Sequence, residues 1–289
     1  MTLKNKWVLI TGASSGFGAA AARAFGAEGS NLQLGARRVD RLKDVATAAR
    51  QAGAPEAHFH ALDVSQTPSV DAFVTWARNT ISNQFSVASN QSSVAAPEAL
   101  ITGHRSLITP PNSPRLDVLI NNAGGAHGVN TVAEGKDGDW ETMLQTNVLG
   151  VLRMTRAALP LMLDNPGSSI INIGSLAGHV AYEGGAAYCA AKAGELQITR
   201  ALRLELNGTG VRVTTVDPGL AETEFSIVRF EGDVARAKKV YEGTHPLTAE
   251  DIADILVWVA SRPAHVNIDE LLVKPVDQAA VHKVYRRTT

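Results

Sequence analysis

Short runs rich in Val, Ile and Leu alternate with longer helical stretches along most of the chain, and a glycine-rich turn falls where the first run gives way to the first helix. That alternation is the strongest constraint. Strands separated by helices cross over and pair in parallel, and the helices cover both faces of the sheet. The pattern predicts strands at 7–10, 31–36, 57–62, 116–121, 169–174, 211–216 and 270–273. Helices are predicted at 16–28, 38–51, 68–80, 139–163, 186–207 and 249–261. The expected fold class is α/β: a doubly wound parallel sheet of about seven strands, with helices on both faces, forming one domain over 1–289. One segment, 81–115, breaks the rhythm. It is rich in Ser, Asn, Thr and Pro and closes with Thr109-Pro110-Pro111-Asn112-Ser113-Pro114. Such a composition buries little apolar surface, so an irregular, disordered insertion is expected rather than a lid.

The turn after the first strand reads Thr11-Gly12-Ala13-Ser14-Ser15-Gly16-Phe17-Gly18. Gly12, Gly16 and Gly18 allow a sharp turn and a close backbone approach. The helix start beyond Ser14, Ser15 and Phe17 offers free N–H groups and a partial positive charge. A glycine-rich turn is weak evidence alone, but at the opening of a strand–helix–strand unit it points to a dinucleotide pyrophosphate. The second strand ends Leu34-Gly35-Ala36-Arg37-Arg38, with no acid at its tip and Asp40 lying beyond. An acid there would bind a ribose 2′-hydroxyl, whereas a guanidinium pairs with a 2′-phosphate. Arg37 and Arg38 therefore favour NADP(H), with Arg37 the leading candidate. Asp63-Val64 follows the third strand, Asn121-Asn122-Ala123-Gly124 closes the fourth, and Asp217-Pro218-Gly219 follows the sixth.

Tyr188 and Lys192 stand four residues apart in a helical stretch and so share a face. Ser175 lies just past the fifth strand, and Asn147 sits in the preceding long helix. Singly, each has an ordinary structural explanation. In this order behind the glycine turn, they resemble the Asn-Ser-Tyr-Lys tetrad of the classical short-chain dehydrogenase/reductase family. Gly12-x-x-x-Gly16-x-Gly18 and Asn121-Asn122-Ala123-Gly124 are similar to that family's other motifs. The resemblance implies a Rossmann-type fold and hydride transfer, with Tyr188 as acid/base, Ser175 polarising the substrate oxygen, Lys192 gripping the cofactor ribose and Asn147 holding a water. It also implies cofactor contacts at Asp63 and Val64 by the adenine, at Asn122, Ala123 and Gly124, and at Pro218, Gly219 and Thr223 by the nicotinamide. Chemically, a tyrosine of pKa about 10 is a poor base at neutral pH, and an ammonium about 4 Å away would supply roughly the 4 kcal/mol needed to lower it. Lys192 is expected to do this.

The 220–241 region and the chain end, 262–286, resemble a narrower branch, the NADP-dependent 3-hydroxy acid (serine or allo-threonine) dehydrogenases. That branch implies interconversion of short 3-hydroxy acids with their 3-oxo acids, and a homotetramer. Arg229 suits a substrate carboxylate or a surface ion pair equally, while His179 and Glu183 read as solvated loop residues. A broad carbonyl reductase of ketones and aldehydes, or an NADPH-binding regulator without turnover, stay open as alternatives. With Lys and Arg 27 against Asp and Glu 28, no basic excess points to nucleic acid. The apolar runs are too short to span a bilayer, and the lone Cys189 suits a reducing, cytoplasmic setting. No metal site is expected, and Cys189 reads as packing.

Overall fold

The computed structural model describes residues 1–88, 114–163 and 165–288, with 84–88 described by backbone alone. The elements run β1 (Trp7–Thr11), α1 (Gly16–Ala27), β2 (Asn31–Ala36), α2 (Val39–Ala52), β3 (Ala57–Ala61), α3 (Thr67–Ala88), β4 (Val118–Asn121), α4 (Asp137–Leu144) and α5 (Gly150–Ala158). They continue with β5 (Ser169–Ile173), α6 (Ala186–Glu205), β6 (Arg212–Pro218), α7 (Phe225–Arg229), α8 (Val234–Tyr241), α9 (Ala249–Ala260), β7 (Glu270–Val273), β8 (Gln278–Ala280) and β9 (Lys283–Val284). The first strand shows why both faces of the sheet are buried. Val8 and Ile10 point into a core shared with α1, α2 and α9, while Trp7 and Leu9 enter a second core with α3, α5 and α6. An alternating side-chain direction with apolar residues at every position demands cover on both sides.

Seven strands form one parallel sheet in the order β3-β2-β1-β4-β5-β6-β7. The chain leaves β1 toward β2 and β3, then returns to place β4 on the opposite side of β1. The loops at the strand C-termini diverge at that switch and open a crevice there. β8 and β9 form a short antiparallel hairpin outside the sheet.

Three expectations need correction. Helix α3 does not stop at residue 80 but runs to Ala88. Val70, Phe73, Val74, Ala77 and Ile81 are all buried at helical spacing, so the apolar stripe carries the helix into the stretch set aside as irregular. The remaining expectation for that insertion, from 89 to 113, lies outside the described residues. The long helix expected over 139–163 is interrupted twice. A π-turn at Gln145–Leu149 separates α4 from α5, and Pro160 within a 3₁₀ turn at Leu159–Leu161 ends α5. Proline lacks the N–H that another α-turn needs. Helices α7 and α8 and the β8–β9 hairpin were not foreseen, because elements this short span too few turns or pairs to show a period in the sequence.

Candidate active site

The glycine turn is built as a cradle. Gly12 has φ +65°, and a Cβ there would lie 2.8 Å from the Ala123 Cα, so a side chain is excluded twice over. Asn122 braces the turn, donating from Nδ2 to the carbonyls of Thr11 at 2.9 Å and Gly12 at 3.1 Å. The Thr11 hydroxyl accepts from the backbone N–H groups of Asn122 and Ala123 at 3.0 and 2.9 Å. Ser15 precedes α1 in an extended conformation without a side-chain cap bond, so the helix start keeps N–H groups for an anion. Above it opens a cleft of ≈ 670 Å³ at the strand C-termini. Its walls include the expected Gly12, Ser14, Ser15, Gly16, Phe17, Arg37, Arg38, Asp63, Val64, Asn122, Ala123, Gly124, Pro218, Gly219 and Thr223. Gly18 instead lies beneath the turn, where a Cβ would sit 2.6 Å from Asn122 Nδ2. Asp63 turns its carboxylate to the backbone N–H and hydroxyl of Ser65, which fixes the loop at the cleft edge.

At the mouth, the two arginines differ. Arg37 is exposed and makes no hydrogen bond among the described residues, whereas Arg38 donates to Ser14 Oγ at 3.2 Å and Ser15 Oγ at 2.6 Å. Arg38 also meets Glu224 at 3.0 Å, and Arg41 reaches the same carboxylate at 2.6 Å. Exposed pairs like these are worth under about 1 kcal/mol each. Their consequence is placement: the Arg38 guanidinium is held beside the glycine turn. Both Arg37 and Arg38 line the cleft, Arg38 held by the turn and Arg37 unengaged among the described residues.

The closed end of the cleft holds Ser175, Tyr188 and Lys192. Ser175 caps a 3₁₀ turn after β5, accepting from the Ala177 N–H at 3.1 Å, and it lines the cleft together with Tyr188. Burial pushes Tyr188 up to about 12 against the pull of Ser175 and Arg229. The cation that draws Tyr188 down is thus Arg229, whose guanidinium carbon lies 5.7 Å from its ring centroid and 5.4 Å from that of Tyr182. Lys192 lies buried one helical turn beyond Tyr188 on α6. Its Nζ donates to the Ile173 carbonyl at 2.5 Å, and burial lowers its own pKa. A tyrosine so raised keeps its proton at neutral pH, the state required to protonate an alkoxide.

Asn147 does not line the cleft. It is buried in the π-turn, where Nδ2 donates to the carbonyls of Met143 at 2.8 Å and Gly125 at 2.9 Å, and Oδ1 accepts from the Gly125 N–H at 3.2 Å. Side-chain bonds of this kind stabilise a widened turn, a local feature frequent at functional positions. Asn147 Oδ1 and Lys192 Nζ flank one residue, lying 2.5 and 3.9 Å from a Cβ built on Gly124. Cys189 is buried and packs with Ala126 and Met143. His179 is not a free loop residue, since its Nε2 meets Asp217 at 2.7 Å. Among the described residues no group of three or more His, Cys, Asp or Glu could hold a metal ion, and no helix is long and apolar enough to cross a membrane.

The family model described as short chain dehydrogenase matches residues 6–96 and 109–233. The break at 97–108 is shorter than the segment set aside on composition. A sulfoacetaldehyde reductase of Chromohalobacter salexigens is 41% identical over 94% of this chain and 94% of its own length. An NADP-dependent 3-hydroxy acid dehydrogenase of Schizosaccharomyces pombe is 37% identical over 99% of this chain and 98% of its own. Among solved structures, the closed form of a serine dehydrogenase complexed with NADP+ superposes with TM-score 0.79 at 35% identity, covering 98% of this chain and 100% of that one.

Proposed function

The chain belongs to the short chain dehydrogenase family, and from that premise we propose that it is an NADP(H)-dependent oxidoreductase interconverting a short 3-hydroxy acid and its 3-oxo acid. The observation that carries this reading is one continuous cleft whose walls bring together the glycine turn with Arg38 and the side chains of Ser175, Tyr188 and Lys192. The residues fit the cofactor. Gly12 admits a close backbone approach, the start of α1 offers N–H groups, and Arg37 with Arg38 supplies positive charge for a 2′-phosphate. Bound there, NADP(H) supplies or accepts the hydride. Ser175 orients the substrate oxygen toward Tyr188, and Tyr188 gives its proton to that oxygen during reduction or takes it back during oxidation. Lys192, buried beside them, would hold the ribose and add positive charge, while Asn147 holds the π-turn and Gly125 in place behind Gly124.

Substrate choice turns on Arg229. It is anchored by Nε to the Gly128 carbonyl at 3.1 Å and lines the cleft beside Tyr182 and Tyr188, so it can pair with a substrate anion. A carboxylate is the first reading. A sulfonate is the second, favoured by the similarity to sulfoacetaldehyde reductases. The outward-facing Leu144, Leu149, Leu152 and Leu204 suit the packing of a homotetramer in the cytoplasm. The test is a substrate panel with NADPH and with NADH: a 3-oxo acid, sulfoacetaldehyde and a neutral ketone of equal size. The 3-oxo acid with NADPH should give the highest kcat/KM. Preference for the neutral ketone would make the enzyme a broad carbonyl reductase instead.

A further inference from the structure

Behind Lys192, on the side away from the cleft, lies a group of ionisable side chains that hydride transfer does not use. Glu195 follows Lys192 by three residues on α6 and is fully buried. Its Oε1 accepts from the Thr199 hydroxyl at 3.1 Å, while its Oε2 is buried without a hydrogen-bond partner. From β6, Asp217 is equally buried, with Oδ1 accepting from the Thr215 hydroxyl at 2.5 Å. The two carboxylates converge over the bare backbone of Gly174. A Cβ there would collide with Asp217 Oδ1 and stand 2.9 Å from Glu195 Oε2. From the turn after β5, His179 closes the group against Asp217 Oδ2 at 2.7 Å, and its side chain is 22% exposed where that of Asp217 is 1%. Farther out, the Arg200–Glu270 pair of α6 and β7 lies at the surface, with Arg200 sensing Asp217 and Glu270 sensing His179.

A buried carboxylate oxygen without a partner is costly unless it carries or shares a proton. A buried ammonium such as Lys192 likewise requires a counter-ion. Both needs are met by the same arrangement. We propose that Glu195 and Asp217 form a buried acid pair that acts through Lys192 and Tyr188 as a positioning device, setting the pH at which those two residues give up a proton, with His179 as the pair's contact with solvent. Two features agree. Burial raises Glu195 to about 6, with Asp217 pushing the same way and Lys192 against it. The charge of Glu195 also raises both Tyr188 and Lys192. Above its own titration, Glu195 is an anion that helps the pair keep its proton for carbonyl reduction.

The kinetic half of this inference rests on the catalytic reading of Tyr188 and Lys192, so the experiment has one arm independent of turnover. In that arm the infrared carbonyl band of a protonated carboxyl is followed with pH in the whole protein. The wild type should lose such a band near pH 6, and Glu195→Gln should lack it. In the second arm, the pH profile of kcat/KM for reduction is measured for wild type, Glu195→Gln, Asp217→Asn and the exposed Glu270→Gln. Removing a negative charge lowers the pKa of neighbouring acids. The high-pH limb should therefore move to lower pH by about one unit in Glu195→Gln and in the same direction in Asp217→Asn, and stay in place in Glu270→Gln. A wild type without the band, or a limb unmoved in Glu195→Gln, overturns the proposal. Turnover retained in Tyr188→Phe would instead overturn the catalytic reading and leave the infrared arm standing.

Discussion

Replacing Arg229 with methionine separates substrate binding from proton chemistry. The guanidinium carbon lies 5.7 Å from the Tyr188 ring centroid. At an effective dielectric near 20, unit charges at that distance interact by about 3 kcal/mol. Water in the open cleft reduces this, so loss of the cation should raise Tyr188 by about one pH unit. A charge-assisted contact to a bound carboxylate contributes about 1.5–3 kcal/mol, a roughly 10- to 150-fold change in KM. Reduction of a 3-oxo acid and of a neutral ketone of the same length would be compared in wild type and Arg229→Met, with thermal denaturation as the folding control. The acid should lose about 100-fold in kcat/KM, most of it in KM. The ketone should lose only a few-fold, in kcat, because a weaker tyrosine acid affects both substrates alike. Equal losses for the two in a folded protein would show that Arg229 does not bind the substrate anion and would remove the basis for an acidic substrate.

Three further outcomes follow from the same geometry. Tyr188→Phe should fold and bind NADPH, measured by fluorescence titration, yet lose about 10²–10⁴ in kcat, the usual contribution of a positioned acid. Arg38→Ala, which removes the contacts to Ser14, Ser15 and Glu224, should weaken NADPH by about tenfold or more and leave NADH nearly unchanged, read as the ratio of the two KM values. Glu195→Gln should stabilise the fold above pH 6. A carboxyl raised in the folded state from 4.5 to about 6 favours folding below pH 4.5, and that contribution, about 2 kcal/mol, is lost as pH rises through 6. Melting temperatures of variant and wild type should therefore separate above pH 6 and converge below 4.5.

Much of this was legible in the sequence because it rests on local rules. Val8, Leu9 and Ile10 are apolar in succession, so both faces of the first strand are apolar, which requires a sheet covered on both sides. The glycine turn follows a strand, and Tyr188 and Lys192 share a helical face, so their convergence on one cleft was foreseeable from spacing alone. The continuation of α3 through Ile81 was also written in the chain, but the polar residues beyond it masked the apolar stripe.

What the tertiary structure alone decided is electrostatic and three-dimensional. Arg229 comes from α7, and its meeting with Tyr188 of α6 depends on how the loops after β6 fold back over the cleft. Asp217, His179 and Glu195 come from a strand, a turn and a helix; the bare backbone of Gly174 lets the two carboxylates converge, and His179 joins them through Asp217. Sequence spacing determined which side chains share a face of one element. Burial, which raises Tyr188 and lowers Lys192, depends on every atom packed around them. Which side chains share a face was thus set locally by the chain, and the pH range over which Tyr188 and Lys192 hold their protons was set by the fold around them.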